Sequence, residues 1–147
     1  MKLRVLTVLL CLLAAGTAQA EGNLQVRDAW VRAIPPGATI TAGYATLSND
    51  GDAPVTILTA QSDTFRSVTL HETLVSDGVA KMREIHRLVV APGATVKLEP
   101  GGRHLMMMSP RKVPAVGDKV GVTLLLRDGK RIDTYFDVIA PGADDGD

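Results

Sequence analysis

The chain reads as an all-β sandwich in a single domain, and three observations say so. Short runs rich in Val, Thr, Ile and Leu recur along its length. Gly, Pro, Asn and Asp punctuate them at close intervals. No stretch holds a helical period of useful length. Many short strands at such spacing build a sandwich or a barrel.

The first segment is not part of that domain. Lys2 and Arg4 precede an apolar run from residue 5 to residue 15, broken only by Thr7. Ala18-Gln19-Ala20 then forms a small-residue cleavage site. This is a secretory signal peptide over residues 1–20, cleaved after Ala20. The run is too short for a spanning helix, which needs roughly 20 apolar residues. Cys11 lies inside it and leaves with it. Leu9 and Leu10 stand where a lipoprotein anchor wants a small residue, so the exported protein is expected to be soluble.

Strands follow at 25–33, 42–48, 55–62, 67–73, 79–90, 95–98, 104–108, 119–126 and 131–139. The turns between them are marked by Pro35-Pro36-Gly37, Asn49-Asp50-Gly51, Asp77-Gly78, Pro92-Gly93, Pro100-Gly101-Gly102 and Asp128-Gly129. Asp128-Gly129, set between two strand-like runs, is a strong hairpin signal. The domain spans 21–140, and the acidic tail 141–147 is expected to be disordered.

Composition excludes several functions. Without Lys2 and Arg4, 14 of the 16 basic residues face 16 acidic ones, formally −2. No basic stripe marks nucleic acid, and no basic amphipathic helix marks a membrane surface. The single Cys belongs to the leader, so disulfides, thiol redox motifs and Cys nucleophiles are excluded from the domain. A blue-copper electron carrier, which needs a Cys thiolate, is excluded with them. No nucleophile elbow and no convincing carboxylate pair points to a hydrolase, so the chain is not read as an enzyme.

Four residues carry chemistry: His71, Met82, His104 and Met106. Two imidazoles and two thioethers make a soft, uncharged ligand set that suits Cu(I) best among common biological metals. Side chains at i and i+2 of a strand share a face, so His104 and Met106 lie together and Leu105 and Met107 face the core. His71 points away from the interior filled by Val68 and Leu70, and Met82 alternates with Lys81 and Arg83, which face solvent. Taken singly, a strand His is usually a solvated polar residue and a Met a gap-filler in the core. Their joint spacing, H-x10-M-x21-H-x-M, is far more specific. His86 shares the Met82 face if its strand is unbroken, but it lies outside this pattern. Met108 shares the His104 face farther along and reads as structural, and Trp30 reads as core packing. Arg66, Lys81, Arg83 and Arg103 are candidates for a rim around the site, with plain solvated surface as the other reading.

That spacing is the signature of the periplasmic copper chaperones of the PCuAC type, and the chain resembles them elsewhere. Residues 28–33 followed by Pro35-Pro36-Gly37 resemble the family's start, and Ala42-Gly43-Tyr44 with Ser48-Asn49 its second strand and turn. Leu70-His71-Glu72 and residues 78–83 and 100–106 resemble its metal-bearing segments. The similarity runs from about residue 29 to about residue 138. The resemblance implies a cupredoxin-like, immunoglobulin-like β-sandwich of Greek-key type that binds one Cu(I) per chain at the four matching positions. It implies delivery of copper in the periplasm to the copper A subunit of cytochrome c oxidase, beside a thioredoxin-like copper protein of the Sco type. The carrier is expected to be a monomer, not embedded in the membrane. Some relatives add a His- and Met-rich extension with a second copper site, and residues 141–147 contain neither residue type. Two other functions compete: periplasmic copper buffering or resistance, and a metal-free secreted interaction module.

Overall fold

The computed structural model describes residues 20–143, so the expected signal peptide and the end of the acidic tail lie outside the described residues. The described chain is all β, without helices. Its strands are β1 (Leu24–Arg32), β2 (Ile40–Asn49), β3 (Val55–Gln61), β4 (Phe65–Ser76), β5 (Val79–Glu84), β6 (Leu88–Val90), β7 (Thr95–Leu98), β8 (Arg103–Pro110), β9 (Lys119–Leu126) and β10 (Arg131–Ile139). They join along one hydrogen-bonded path, β5-β4-β8-β2-β1-β10-β9-β3-β6, with β7 also pairing β2. All pairings are antiparallel except β1 with β10. The expected all-β, cupredoxin-like single domain is the observed one.

The sequence reading of one strand over 79–90 is corrected. The chain leaves the ladder at Ile85, and residues 88–90 pair with β3 instead of β4. The reason is where burial lies. Val79–Glu84 is exposed throughout, whereas Leu88 and Val90 are buried and serve the core. His86 therefore does not continue the Met82 face: its side chain is 84% exposed and its Nδ1 lies 3.6 Å from Glu84 Oε1.

The core unites alternate residues of nearly every strand: Val31, Leu47, Val68, Leu70, Leu105, Met107, Val120, Val122, Phe136 and Val138 among them. This is the burial that a half-buried strand's period of two dictates. Leu105 and Met107 are fully buried, so the face assigned to them on β8 is correct. Gly43 on β2 makes room for Met107. A Cβ there would sit 2.7 Å from Met107 Cε and 3.3 Å from Val31 Cγ2.

Asn49 ties the far end of β2. It is fully buried, yet every polar atom of its side chain is bonded. Its Oδ1 accepts from Asn23 N and Gly51 N, each at 3.0 Å. Its Nδ2 donates to Ala53 O at 2.7 Å and to Val90 O at 3.0 Å. One side chain thus closes the 50–53 turn and pins it to the ends of β1 and β6. Buried amides are tolerated only when satisfied in this way.

Three substitutions test this frame. Met107→Ala should cost about 2–5 kcal/mol, as truncation of a buried methionine does, whereas Met106→Ala, half-buried on the other face, should cost less than about 1 kcal/mol. Asn49→Ala orphans two donors and two acceptors and should cost roughly 2–4 kcal/mol. Urea unfolding of the three variants measures all three values.

Candidate metal centre

Strand register assembles the site. On β4 and β8, His71 pairs with His104 and Thr69 with Met106. On β4 and β5, His71 pairs with Glu84 and Thr73 with Met82. Directly paired residues of neighbouring strands share a face. His71, Met82, His104 and Met106 therefore stand on one face of β5-β4-β8, opposite the face that Leu70 and Leu105 send into the core. The two imidazoles form the centre, with ring centroids 6.0 Å apart and planes at 27°. Met82 lies two pairs toward the β4–β5 tip and Met106 two pairs the other way, so the thioethers flank the imidazoles along a diagonal.

The row through the imidazoles extends beyond them. Trp30 of β1 pairs with Tyr44 of β2 in register, and their rings lie 4.4 Å apart. Tyr44 in turn lies 6.4 Å from the His104 ring. Trp30 is half-buried against this tyrosine, not in the main core. A cleft of about 420 Å³ opens over this face, lined in part by Ala33, Pro35, Ala38, Tyr44, Met82, His104 and Met106. The segment between β1 and β2 forms one wall, which explains why His104 is buried on a face that alternation alone makes outward. Met82, in contrast, is 62% exposed. His71 lines no part of the cleft and joins the group through its stacking on His104.

Each imidazole is held from two residues upstream. His104 Nδ1 lies 3.2 Å from Gly102 O, which can only accept, so Nδ1 carries the proton and Nε2 presents its lone pair. His71 Nε2 lies 3.0 Å from Thr69 Oγ1. With Nε2–H donating to that hydroxyl, the lone pair falls on Nδ1, a buried nitrogen with no hydrogen-bond partner in the protein. A buried nitrogen without a partner is costly unless something else meets it. A metal ion would meet that need, and a bond from the other ring nitrogen is how metal-binding histidines are oriented. Among the described residues no three His, Cys, Asp or Glu side chains converge on a possible metal position. Any ion here must therefore draw on the thioethers, which favours a soft ion such as Cu(I) over Zn(II) or Mg(II).

The rim reading of the arginines is corrected by the same alternation. Arg83 pairs with Glu72 across β5 and β4, and Arg103 pairs with Glu72 across β8 and β4. Lys81, paired with Leu74, shares their face. All three lie on the reverse side of the ligand strands. Arg66 lines a separate groove with Arg111 and Arg131. Thr69 and the Gly102 carbonyl were not visible as parts of the site in the sequence. Each stands at i−2 from a histidine, the spacing that shares a strand face, and that was the available signal.

The tautomers can be checked directly. In the metal-free protein at mildly alkaline pH, His104 should be the Nδ1–H form and His71 the Nε2–H form. Long-range ¹H–¹⁵N correlation spectra distinguish the two, and reversed tautomers would mean that other ring nitrogens face the site.

Comparison with known proteins agrees with the fold. The LpqE-like family model matches residues 24–138. Protein Lxx21020 of Leifsonia xyli subsp. xyli (strain CTCB07) is 37% identical over 112 residues, covering 76% of this chain and 66% of its own length. Protein RP573 of Rickettsia prowazekii (strain Madrid E) is 27% identical over 113 residues, covering 74% of this chain and 62% of its own. The match thus spans a little under two thirds of these relatives. Among solved structures, the copper-bound PCuAC domain from PmoF2 superposes with a TM-score of 0.69 at 25% identity, covering 84% of this chain and 97% of that domain. The solution structure of Cu(I)-DR1885 from Deinococcus radiodurans gives a TM-score of 0.64 at 30% identity, covering 89% of this chain and 87% of that one.

Proposed function

Because the chain belongs to the LpqE-like family, whose fold it shares with PCuAC copper chaperone domains, we propose that it is an exported Cu(I) carrier that binds one ion through His71, Met82, His104 and Met106. One observation supports this reading most: two register-paired imidazoles, each held through one ring nitrogen, stand between two thioethers on one sheet face. The copper bound by the PmoF2 domain and by DR1885 supports it independently.

Copper is cargo here, and the chain's own chemistry is retention and release. Four neutral ligands leave the bound site at +1, so no buried carboxylate or thiolate must be reprotonated to let the ion go. Thioethers form no disulfides, which suits an oxidising compartment. Met82, exposed at the sheet edge, is the ligand that an incoming acceptor can reach first. We assign delivery to the copper A subunit of cytochrome c oxidase, beside a Sco-type protein, in the periplasm. The chain acts as a monomeric carrier and not as an enzyme. A family named for a lipoprotein supports export. Among the described residues no helix is long and apolar enough to cross a membrane.

Titration of residues 21–147 with Cu(I) against a competing chelator should give one ion per chain, with Zn(II) bound far more weakly. Met82→Ala and Met106→Ala should each lower Cu(I) affinity at least about tenfold, the scale on which even outer-shell changes act. Their melting temperatures should stay within a few degrees of wild type. Zn(II) binding of equal strength would overturn the four-ligand assignment. A strain lacking the protein, grown at low copper, should lose copper A occupancy and oxidase activity. Normal oxidase with lowered copper tolerance would instead assign buffering.

A further inference from the structure

The strands that carry His71, Met82 and His104 have a reverse face, and the immediate chain neighbours of these three residues meet there. Register pairs Glu72 with Arg83 on one side and with Arg103 on the other. Arg83 Nε donates to Glu72 Oε1 at 3.0 Å, and a second Arg83 nitrogen reaches the same oxygen. Arg103 Nε lies 3.8 Å from Glu72 Oε2. The Glu72 side chain is only 14% exposed, against 68% for Arg83 and 47% for Arg103. One sheltered carboxylate thus links guanidinium groups from both flanking strands.

β5 is the strand that most needs such a link. Each of its six residues is exposed, so it adds no side chain to the core. Among the described residues, two side-chain ties involve it: Arg83 to Glu72, and Glu84 to His86 just beyond its own end. Its position rests on its backbone ladder with β4 and on the Glu72 contact. An edge strand held so lightly visits frayed states, and any site that needs it is weakened by the fraction of time spent there.

We propose that Glu72 is a positioning residue for the candidate copper site. By clamping Arg83 and Arg103 behind the sheet, it fixes β5 against β4 and β8 and holds Met82 where its thioether can reach an ion on the imidazole pair. This inference rests on the Cu(I) reading above. The clamp acts on binding more than on folding, because β5 adds no side chain to the core, while Met82 can serve the ion only when β5 is docked.

A double-mutant cycle separates this role from a general structural one. Cu(I) affinity is measured by chelator competition for wild type, Glu72→Gln, Met82→Ala and the double variant, with thermal melts of each. Glu72→Gln should weaken Cu(I) binding by roughly two- to fivefold, the range of a modest ion pair, with a melting temperature close to wild type. In the Met82→Ala background the same change should have no measurable effect, because the ligand it positions is gone. Arg83→Gln, which leaves Glu72 paired with Arg103, should repeat the pattern and serves if Glu72→Gln folds poorly. Equal losses in both backgrounds, or no loss in wild type, would overturn the clamp alone. A Met82→Ala protein that binds Cu(I) as tightly as wild type would overturn the four-ligand reading and the clamp with it.

Discussion

The pairing of β4 with β8 is the constraint on which the rest depends. It sets His71 opposite His104 and, two pairs away, Thr69 opposite Met106. A slip of one residue would turn every side chain of one strand to the other face. The core forbids that slip. Val68 and Leu70 from β4, and Leu105 and Met107 from β8, are buried on the reverse of the ligand positions. The apolar alternation that folds the sandwich is thus the same alternation that presents the candidate ligands. Gly43 completes the lock by admitting Met107 beneath β2.

The four candidate ligand positions differ in how firmly they are held. His104 and Met106 sit on β8, an interior strand between β4 and β2. His104 is buried under the segment that joins β1 to β2. Met82 rides on the edge strand and is mostly exposed. On the proposed Cu(I) reading this division has a physical logic: the inner candidate ligands keep a fixed geometry while the outer one can exchange. The edge itself is protected from pairing with other sheets by Lys81, Arg83 and Glu84, since charged side chains discourage strand addition.

The reading from sequence failed where chain direction, not residue type, carried the information. Residues 79–90 alternate well enough to look like one strand. Only the three-dimensional arrangement separates an exposed edge, Val79–Glu84, from a core-serving strand, Leu88–Val90, that crosses to β3. His86 fell out of the ligand face for that reason. Of the two readings of Arg83 and Arg103, a rim around the site and plain solvated surface, the rim falls, while both side chains do remain largely exposed. Adjacency in a strand is what sends them to the opposite face, where Glu72 collects them.

What the sequence determined by itself was the fold class, most strand positions and the four candidate ligands. Those follow from local rules: the period of two, the turn residues, and a spacing of His and Met specific enough to stand out. Tertiary structure alone decided which ring nitrogens face the site, the burial of His104, the cleft above it, and the clamp behind it. The burial, the cleft and the clamp join residues from segments far apart in the chain, through register and loop packing, whereas the contacts that orient the two rings are local, each reaching two residues upstream. No local pattern encodes the partner strand, so the Glu72 carboxylate meets Arg83 and Arg103, and His71 meets His104, only when β5, β4 and β8 lie side by side.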